Sequence, residues 1–205
     1  MKKTVLIVLL FGLMAPEGLR AQKMYIDNGM VILDMSTTGI GIGMNPGSVT
    51  NVAKTFNNYT PNASGYLDGS TSSAYSLSQD EKVFQKLEIA PSDMTNSGTL
   101  TSGVSDAMTW VNAFTRCRDL TYNGRTGWRL PTRRELQMMW IFLLPINSLS
   151  GSLSGDSFDP SIYYWCATES GSNSAWSVYF VDGSAPSTNG RTLSFKVRCV
   201  REVTP

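Results

Sequence analysis

The chain has no histidine. That absence removes the commonest general acid–base side chain, every Ser-His-Asp triad and the usual zinc sites. A basic excess is missing as well, with 17 Lys and Arg against 16 Asp and Glu, so the sequence makes no electrostatic case for nucleic acid. Long apolar runs are also lacking. Val5 to Met14 and Leu136 to Leu144 both fall short of the roughly 20 residues needed to cross a bilayer, and no membrane span is expected in the mature chain.

What is present at the start of the chain has the form of a secretory leader. Lys2-Lys3, the apolar run to Met14 and Leu19-Arg20-Ala21 match a basic n-region, an h-region and a small-residue cleavage site, giving a signal peptide over residues 1–21. No Cys follows the site, which argues against a lipoprotein anchor. Removing Lys2, Lys3, Arg20 and Glu17 takes away a net +2 and moves the charge from +1 to −1. Export would place the three cysteines, Cys117, Cys166 and Cys199, in an oxidising compartment.

Residues 22–80 read as an appendage. Met24-Tyr25-Ile26 and Met30-Val31-Ile32-Leu33 flank Asp27-Asn28-Gly29, a hairpin pattern. Ser, Thr, Asn and Gly then dominate from Thr37 to Ser78, with only short apolar islands. A lone two-stranded hairpin is marginal in water, so the expectation is partial order, with these residues packing on the rest of the chain or on a partner subunit.

From residue 81 the periodicity strengthens. Trp110, Ala113, Phe114 and Cys117 fall at i, i+3, i+4 and i+7, one stripe of a helix with Asp106 as a candidate N-cap and an end near Leu120. Thr132 and Glu135 form a capping-box pattern ahead of the run Leu136 to Leu144, which predicts a mostly buried second helix stopping at Pro145. Asn147 to Pro160 reads as a Gly/Ser-rich loop. Val83 to Ile89, Ala175 to Val181 and Thr192 to Val200 read as strands, the last two joined through turn residues between Asp182 and Gly190. Strand, two helices, loop and then strands make an α+β fold with a small antiparallel sheet.

The series Trp110…Ala113…Cys117, Gly127-Trp128-Arg129-Leu130-Pro131-Thr132-x-x-Glu135-Leu136, Tyr164-Trp165-x-Ala167-Thr168, Ala175-Trp176-x-Val178 and Val197-Arg198-Cys199-Val200 resembles the Lcl C-terminal-type domain. That family is related to C-type-lectin-like folds and is found on bacterial surface and fimbria-associated proteins. The resemblance spans about residues 81 to 201 and assigns 81–205 to a lectin-like domain. It implies that the first and last strands pair and that a disulfide joins Cys117 to Cys199. On a chain-entropy model, closing so long a loop stabilises by roughly 4.5 kcal/mol. Cys166 stands where the family usually has Ser and is expected to remain a small buried thiol.

The resemblance does not bring a calcium–sugar site with it. Glu-Pro-Asn or Gln-Pro-Asp loops and a Trp-Asn-Asp segment are missing, and Ser177 follows Trp176 instead. The related formylglycine-generating enzymes use paired cysteines, which the disulfide would occupy here. No metal, cofactor or catalytic residue is therefore expected. Asp156 and Asp159 are close enough in sequence for carboxylate-pair chemistry, but two acids in such a loop more often brace a solvated turn, and the same holds for a cation at Asp156, Asp159, Glu169 and Asp182.

The five tryptophans, Trp110, Trp128, Trp140, Trp165 and Trp176, fall in periodic segments and read as core. Arg129, Arg133 and Arg134 read as a structural partner of an acid such as Glu135 and two solvated first-turn residues, against the alternative of an anion patch. Tyr163, at the end of the polar loop, is the candidate for stacking on a ligand. With Asp156, Asp159 and Arg191 it forms a tentative binding set. The expectation is an exported, non-enzymatic binding or adhesion module of the cell surface or a fimbria, taking a glycan or protein ligand on its long loops. The alternative is a structural assembly subunit that docks other appendage subunits through residues 22–80.

Overall fold

The computed structural model describes residues 23–34, 86–171 and 173–203. The expected leader and most of the Ser/Thr/Asn/Gly-rich region lie outside the described residues. The architecture is α+β, with three helices and two small antiparallel sheets.

Strands β1 (Lys23–Asp27) and β2 (Met30–Asp34) form the expected hairpin, in which Asp27 opposes Met30. Asn28 and Gly29 take φ of 47° and 76°, the left-handed pair that a two-residue hairpin turn matching the strand twist requires. The hairpin does not stand alone. β2 pairs with β3 (Lys86–Ile89), and β3 pairs with β7 (Val200–Glu202), giving the order β1-β2-β3-β7. Every residue of β2 is buried. Its alternating side chains feed two separate cores, Met30 and Ile32 into one, Val31 and Leu33 into the other. The pairing of β3 with β7 also joins the strands expected to meet.

Helix α1 (Trp110–Asp119) buries the predicted stripe of Trp110, Ala113, Phe114 and Cys117. Its N-cap is Thr109 rather than Asp106, whose carboxylate instead accepts the backbone N–H of Asn96 at 2.7 Å. Cys117 is bonded to Cys199, and Cys166 is buried outside that disulfide.

Helix α2 (Arg133–Ile141) opens on the capping box: Thr132 Oγ1 accepts the Glu135 N–H at 3.3 Å and Glu135 Oε2 accepts the Thr132 N–H at 2.8 Å. The expectation of one buried helix ending at Pro145 is corrected. A break falls at Phe142, and a third helix, α3 (Leu143–Ser152), follows with Pro145 in its first turn. Proline cannot supply the hydrogen bond that would carry α2 onward, whereas in a first turn its missing N–H has no helical partner to lose. The burial expected of this run fails at the same joint, since Ile141 is 60 % and Leu144 81 % exposed. The supposed loop from Asn147 is helical to Ser152 because Leu143, Ile146, Leu149 and Leu153 pack on the second core, which outweighs the poor propensity of its Ser and Gly residues.

The second sheet has the order β4 (Tyr163–Gly171), β5 (Ser174–Tyr179) and β6 (Asn189–Gly190). The strand expected over Thr192 to Val200 is not continuous, and it does not form a hairpin with 175–181. Before β7 this segment threads between the sheets. Phe195 bonds Met108, Lys196 bonds Tyr163 and Trp165, Val197 accepts from Met94, and Cys199 accepts from Ala90. Each partner takes one or two bonds, so no ladder builds up.

Replacing Thr132 by Ala removes an acceptor from the α2 N-terminus while leaving the fold intact, and should lower stability by about 1 kcal/mol. The urea midpoint of the variant measures this; an unchanged midpoint would show that the cap does not hold this helix.

Candidate functional site

Two buried ion pairs and a cluster of two half-buried arginines on the buried Glu88 set the frame around which the loops are placed. Arg198, fully buried, donates from Nε to Asp93 Oδ1 at 2.7 Å and from its terminal nitrogens to the carbonyls of Ala90 (3.1 Å), Pro91 (3.0 Å) and Asp156 (3.0 Å). Its guanidinium lies 4.3 Å from the centre of the Phe158 ring. Asp93 also accepts from Ser105 Oγ at 2.8 Å and from the Tyr164 hydroxyl at 3.1 Å. Burial first, and then the Asp93 carboxylate, push the Tyr164 phenol far above its usual range, which keeps it protonated as a donor. Arg129 grips Glu135 with two contacts of 2.6 Å, the structural pairing expected of it. Glu88 joins Arg201 (2.6 Å) and Arg125 (3.2 Å).

On this frame an aromatic ladder crosses the second sheet. Tyr163 opposes Tyr179 on β5, and on its other side Lys196 donates its backbone N–H to the Tyr163 carbonyl, placing Phe195 alongside. The rings stack in that order, Tyr179 on Tyr163 at 4.3 Å and Tyr163 on Phe195 at 4.9 Å, and Phe195 leans on Trp165 at 4.5 Å. Tyr163 is therefore sandwiched between neighbours. Beside the ladder lies a cleft of about 320 Å³, walled by Ile162, Tyr163, Tyr179 and Phe195 and edged by Ser161, Ser194 and Lys196.

Of the residues singled out in the sequence, the structure brings two to this cleft. Tyr163 lines it, although its flanking rings occupy the faces on which a ligand was expected to stack. Asp159 stands at its edge, its Oδ2 3.2 Å from Lys196 Nζ and its Oδ1 accepting the Ser161 hydroxyl and N–H. The Ser161 hydroxyl and N–H and the Lys196 ammonium hold its carboxyl below the usual range. Asp156 and Arg191 are elsewhere. Asp156 Oδ1 fixes the 102–103 loop through Ser102 Oγ (3.1 Å) and the Gly103 N–H (2.8 Å). Arg191 is buried, its guanidinium 4.5 Å above the Trp110 ring. Asp182 caps its own turn through the Ser184 N–H, and Arg133 lies 4.2 Å over the Trp176 ring.

Tyr179, Ser161, Ser194, Phe195 and Lys196 escaped the sequence reading. Phe195 and Tyr179 were visible only as alternating strand residues, and their meeting at Tyr163 depends on a register that the sequence does not encode locally. Among the described residues no group of three or more Cys, Asp or Glu side chains is placed to hold a metal ion, and no helix is long and apolar enough to cross a membrane.

The structure is thus an α+β domain with a disulfide-clamped helix and a cleft built on its second sheet. The chain belongs to the Lcl C-terminal domain family, whose pattern matches residues 68–201. No curated protein matches it. Family and disulfide together point to an extracellular or surface protein.

Asp93→Ala would leave the Arg198 guanidinium buried without its carboxylate and should cost about 3–5 kcal/mol. Tyr164→Phe, which deletes one hydroxyl from the same cluster, should cost about 1–3 kcal/mol. Chemical denaturation orders the two, and equal losses would mean that the charge pair is not the dominant element.

Proposed function

We propose that the protein is an exported, non-enzymatic binding module of the cell surface that takes a glycan or protein ligand at the cleft beside the aromatic ladder. The observation that carries this reading is the cleft itself, an apolar wall of Ile162, Tyr179 and Phe195 with Ser161, Ser194 and Lys196 placed at its edge. Concave, mostly apolar sites with a few convergent polar groups are the usual form of a ligand site. Tyr163 and Asp159 belong to it as supports. Tyr163 holds the flanking rings in place, and Asp159 orients the Lys196 ammonium. Asp156 and Arg191 act at a distance, by fixing the loop and helix around the domain. The lack of histidine supports a binder over an enzyme, as does the commitment of the buried carboxylates Asp93, Glu88 and Glu135 to arginine partners.

The second reading, a structural subunit of a fimbria or other appendage, has its support in β1, which among the described residues is an edge strand of its sheet, the position at which a strand from another chain can add.

A glycan array probed with the mature chain, beside capture of surface proteins, tests the proposal. Tyr179→Ala should weaken binding of the recovered ligand about tenfold, and Lys196→Ala should weaken it measurably. Chelation with EDTA should have no effect, because the calcium–sugar motifs are missing. Undiminished binding by Tyr179→Ala would move the site off the cleft, and capture of the chain's own assembly partners alone would favour the structural subunit.

A further inference from the structure

The hairpin register decides which backbone groups of β1 are left over. Asp27 opposes Met30 across the two-residue turn, so residues 27, 25 and 23 direct their N–H and C=O groups to β2, and the alternation of an antiparallel ladder turns those of Met24 and Ile26 outward. Among the described residues no strand meets them, because the sheet order begins at β1. Ile26 is 39 % exposed, and Asp27 is exposed beside it. A free row of donors and acceptors is a template for another strand, and sheets commonly blunt it with proline or a bulge. β1 has neither, since Lys23-Met24-Tyr25-Ile26-Asp27 contains no proline and its pairing with β2 is unbroken.

The residues of the strand select its partner. Outward groups must face outward groups, so an antiparallel copy of β1 has few registers open to it. Setting Met24 opposite Ile26 of the other copy, and Ile26 opposite Met24, engages all five residues. That register also sets residue 23, a lysine, across from residue 27, an aspartate, at both ends of the ladder, with Tyr25 across from Tyr25 at its centre. Opposite charges directly across a ladder stabilise it, and like charges destabilise it. The neighbouring registers, with Met24 or Ile26 opposite itself, break both charge pairs. A strand with one lysine at its start and one aspartate at its end is therefore complementary to its own reverse, which an unrelated strand would match only by carrying the same pattern.

We propose that β1 is a homodimer interface, pairing antiparallel with β1 of a second copy about a two-fold axis through Tyr25 and joining the two four-stranded sheets edge to edge. The proposal rests on the reading of β1 as the edge to which another chain adds, and it names that chain. Backbone bonds from Met24 and Ile26 hold the pair, and the end charges set its register. Both free edges are used up, so the assembly closes at two copies.

Sedimentation equilibrium of the full mature chain tests the interface, and a reversible dimer is expected. Ile26→Pro deletes an outward N–H while sparing the bonds to β2, and should abolish the dimer at concentrations where the parent is dimeric. Asp27→Lys sets like charges opposite each other at both ends and should raise the dissociation constant about tenfold. Should Ile26→Pro lose the hairpin, Asp27→Lys, at an exposed position, decides in its place. Register is read by oxidation: Tyr25→Cys should give a covalent dimer, because residues opposed at that non-hydrogen-bonded position lie about 4.5 Å apart, whereas Asp27→Cys, whose counterpart sits at the far end of the ladder, should not. A chain monomeric at all concentrations, or a dimer indifferent to both Ile26→Pro and Asp27→Lys, overturns the proposal. A monomer captured by another appendage protein, with capture lost in Ile26→Pro, overturns the self-pairing and leaves the edge reading standing. A dimer that Ile26→Pro removes but Tyr25→Cys fails to crosslink overturns the register.

Discussion

The burial of Arg198 is the constraint on which the rest of the structure depends. Taking a guanidinium out of water costs several kcal/mol, and the loss is offset only where carboxylate and carbonyl acceptors already surround it. Asp93 and the carbonyls of Ala90, Pro91 and Asp156 meet that need, and they come from segments far apart in the chain. The strand-exit segment 90–93, the 156–159 loop, Tyr164 on β4 and the approach to β7 are thereby tied to one another through a single side chain. Close packing completes the tie: Gly155 approaches the Pro91 carbonyl so nearly that an added Cβ would collide with it. A loop with so many serines and glycines is rigid here because its backbone is used as a ligand for a buried cation.

Two hydrophobic cores lie on either side of the hairpin strand β2. One gathers around the disulfide with Trp110, Trp128 and Trp165; the other gathers α2, α3, Phe158 and Phe180. β2 is buried on both faces, a pattern more typical of a strand deep in a sheet than of an appended hairpin. Its position explains the docking of the hairpin turn, whose Asn28 carbonyl accepts from Asn123 Nδ2 at 3.0 Å and from Arg125 at 3.3 Å. The residues matched to the family begin at 68, yet a central strand of the first sheet comes from residues 30–34.

Much of this was legible because it is local. The capping box, the α1 stripe, the Asn28-Gly29 turn and the Arg129–Glu135 pair each involve residues close in sequence, whose chemistry allows few other arrangements. The reading failed where tertiary contacts override local preference. α3 is a helix of poor formers held by four apolar contacts, and its start was hidden because Pro145 signals a stop and a first turn equally well. The segment 192–199 alternates like a strand, but its bonding partners are scattered over the 90–94 segment, Met108 and β4. Asp156 and Arg191 lie in polar loops of the kind where ligands bind, and the contacts they make, one bracing a loop and the other covering a tryptophan, depend on partners distant in sequence.

Tyr163 lies between two other rings, which changes what it can offer a ligand. Its position beside Tyr164 at the end of a polar loop marks it for the cleft, which it does line. In the middle of a ladder, however, its ring is held between Tyr179 and Phe195, and the energy of those two contacts goes into rigidity. A ring with both faces covered offers a ligand only its edge and hydroxyl. Tyr179, at the ladder's outer end and half-buried, is the better placed aromatic, and its orientation is fixed before any ligand arrives by the ring behind it and by the strand pairing beneath. Preorganisation of that kind lowers the entropy lost on binding, so a shallow cleft on a sheet can serve where a mobile loop would need more contacts for the same affinity.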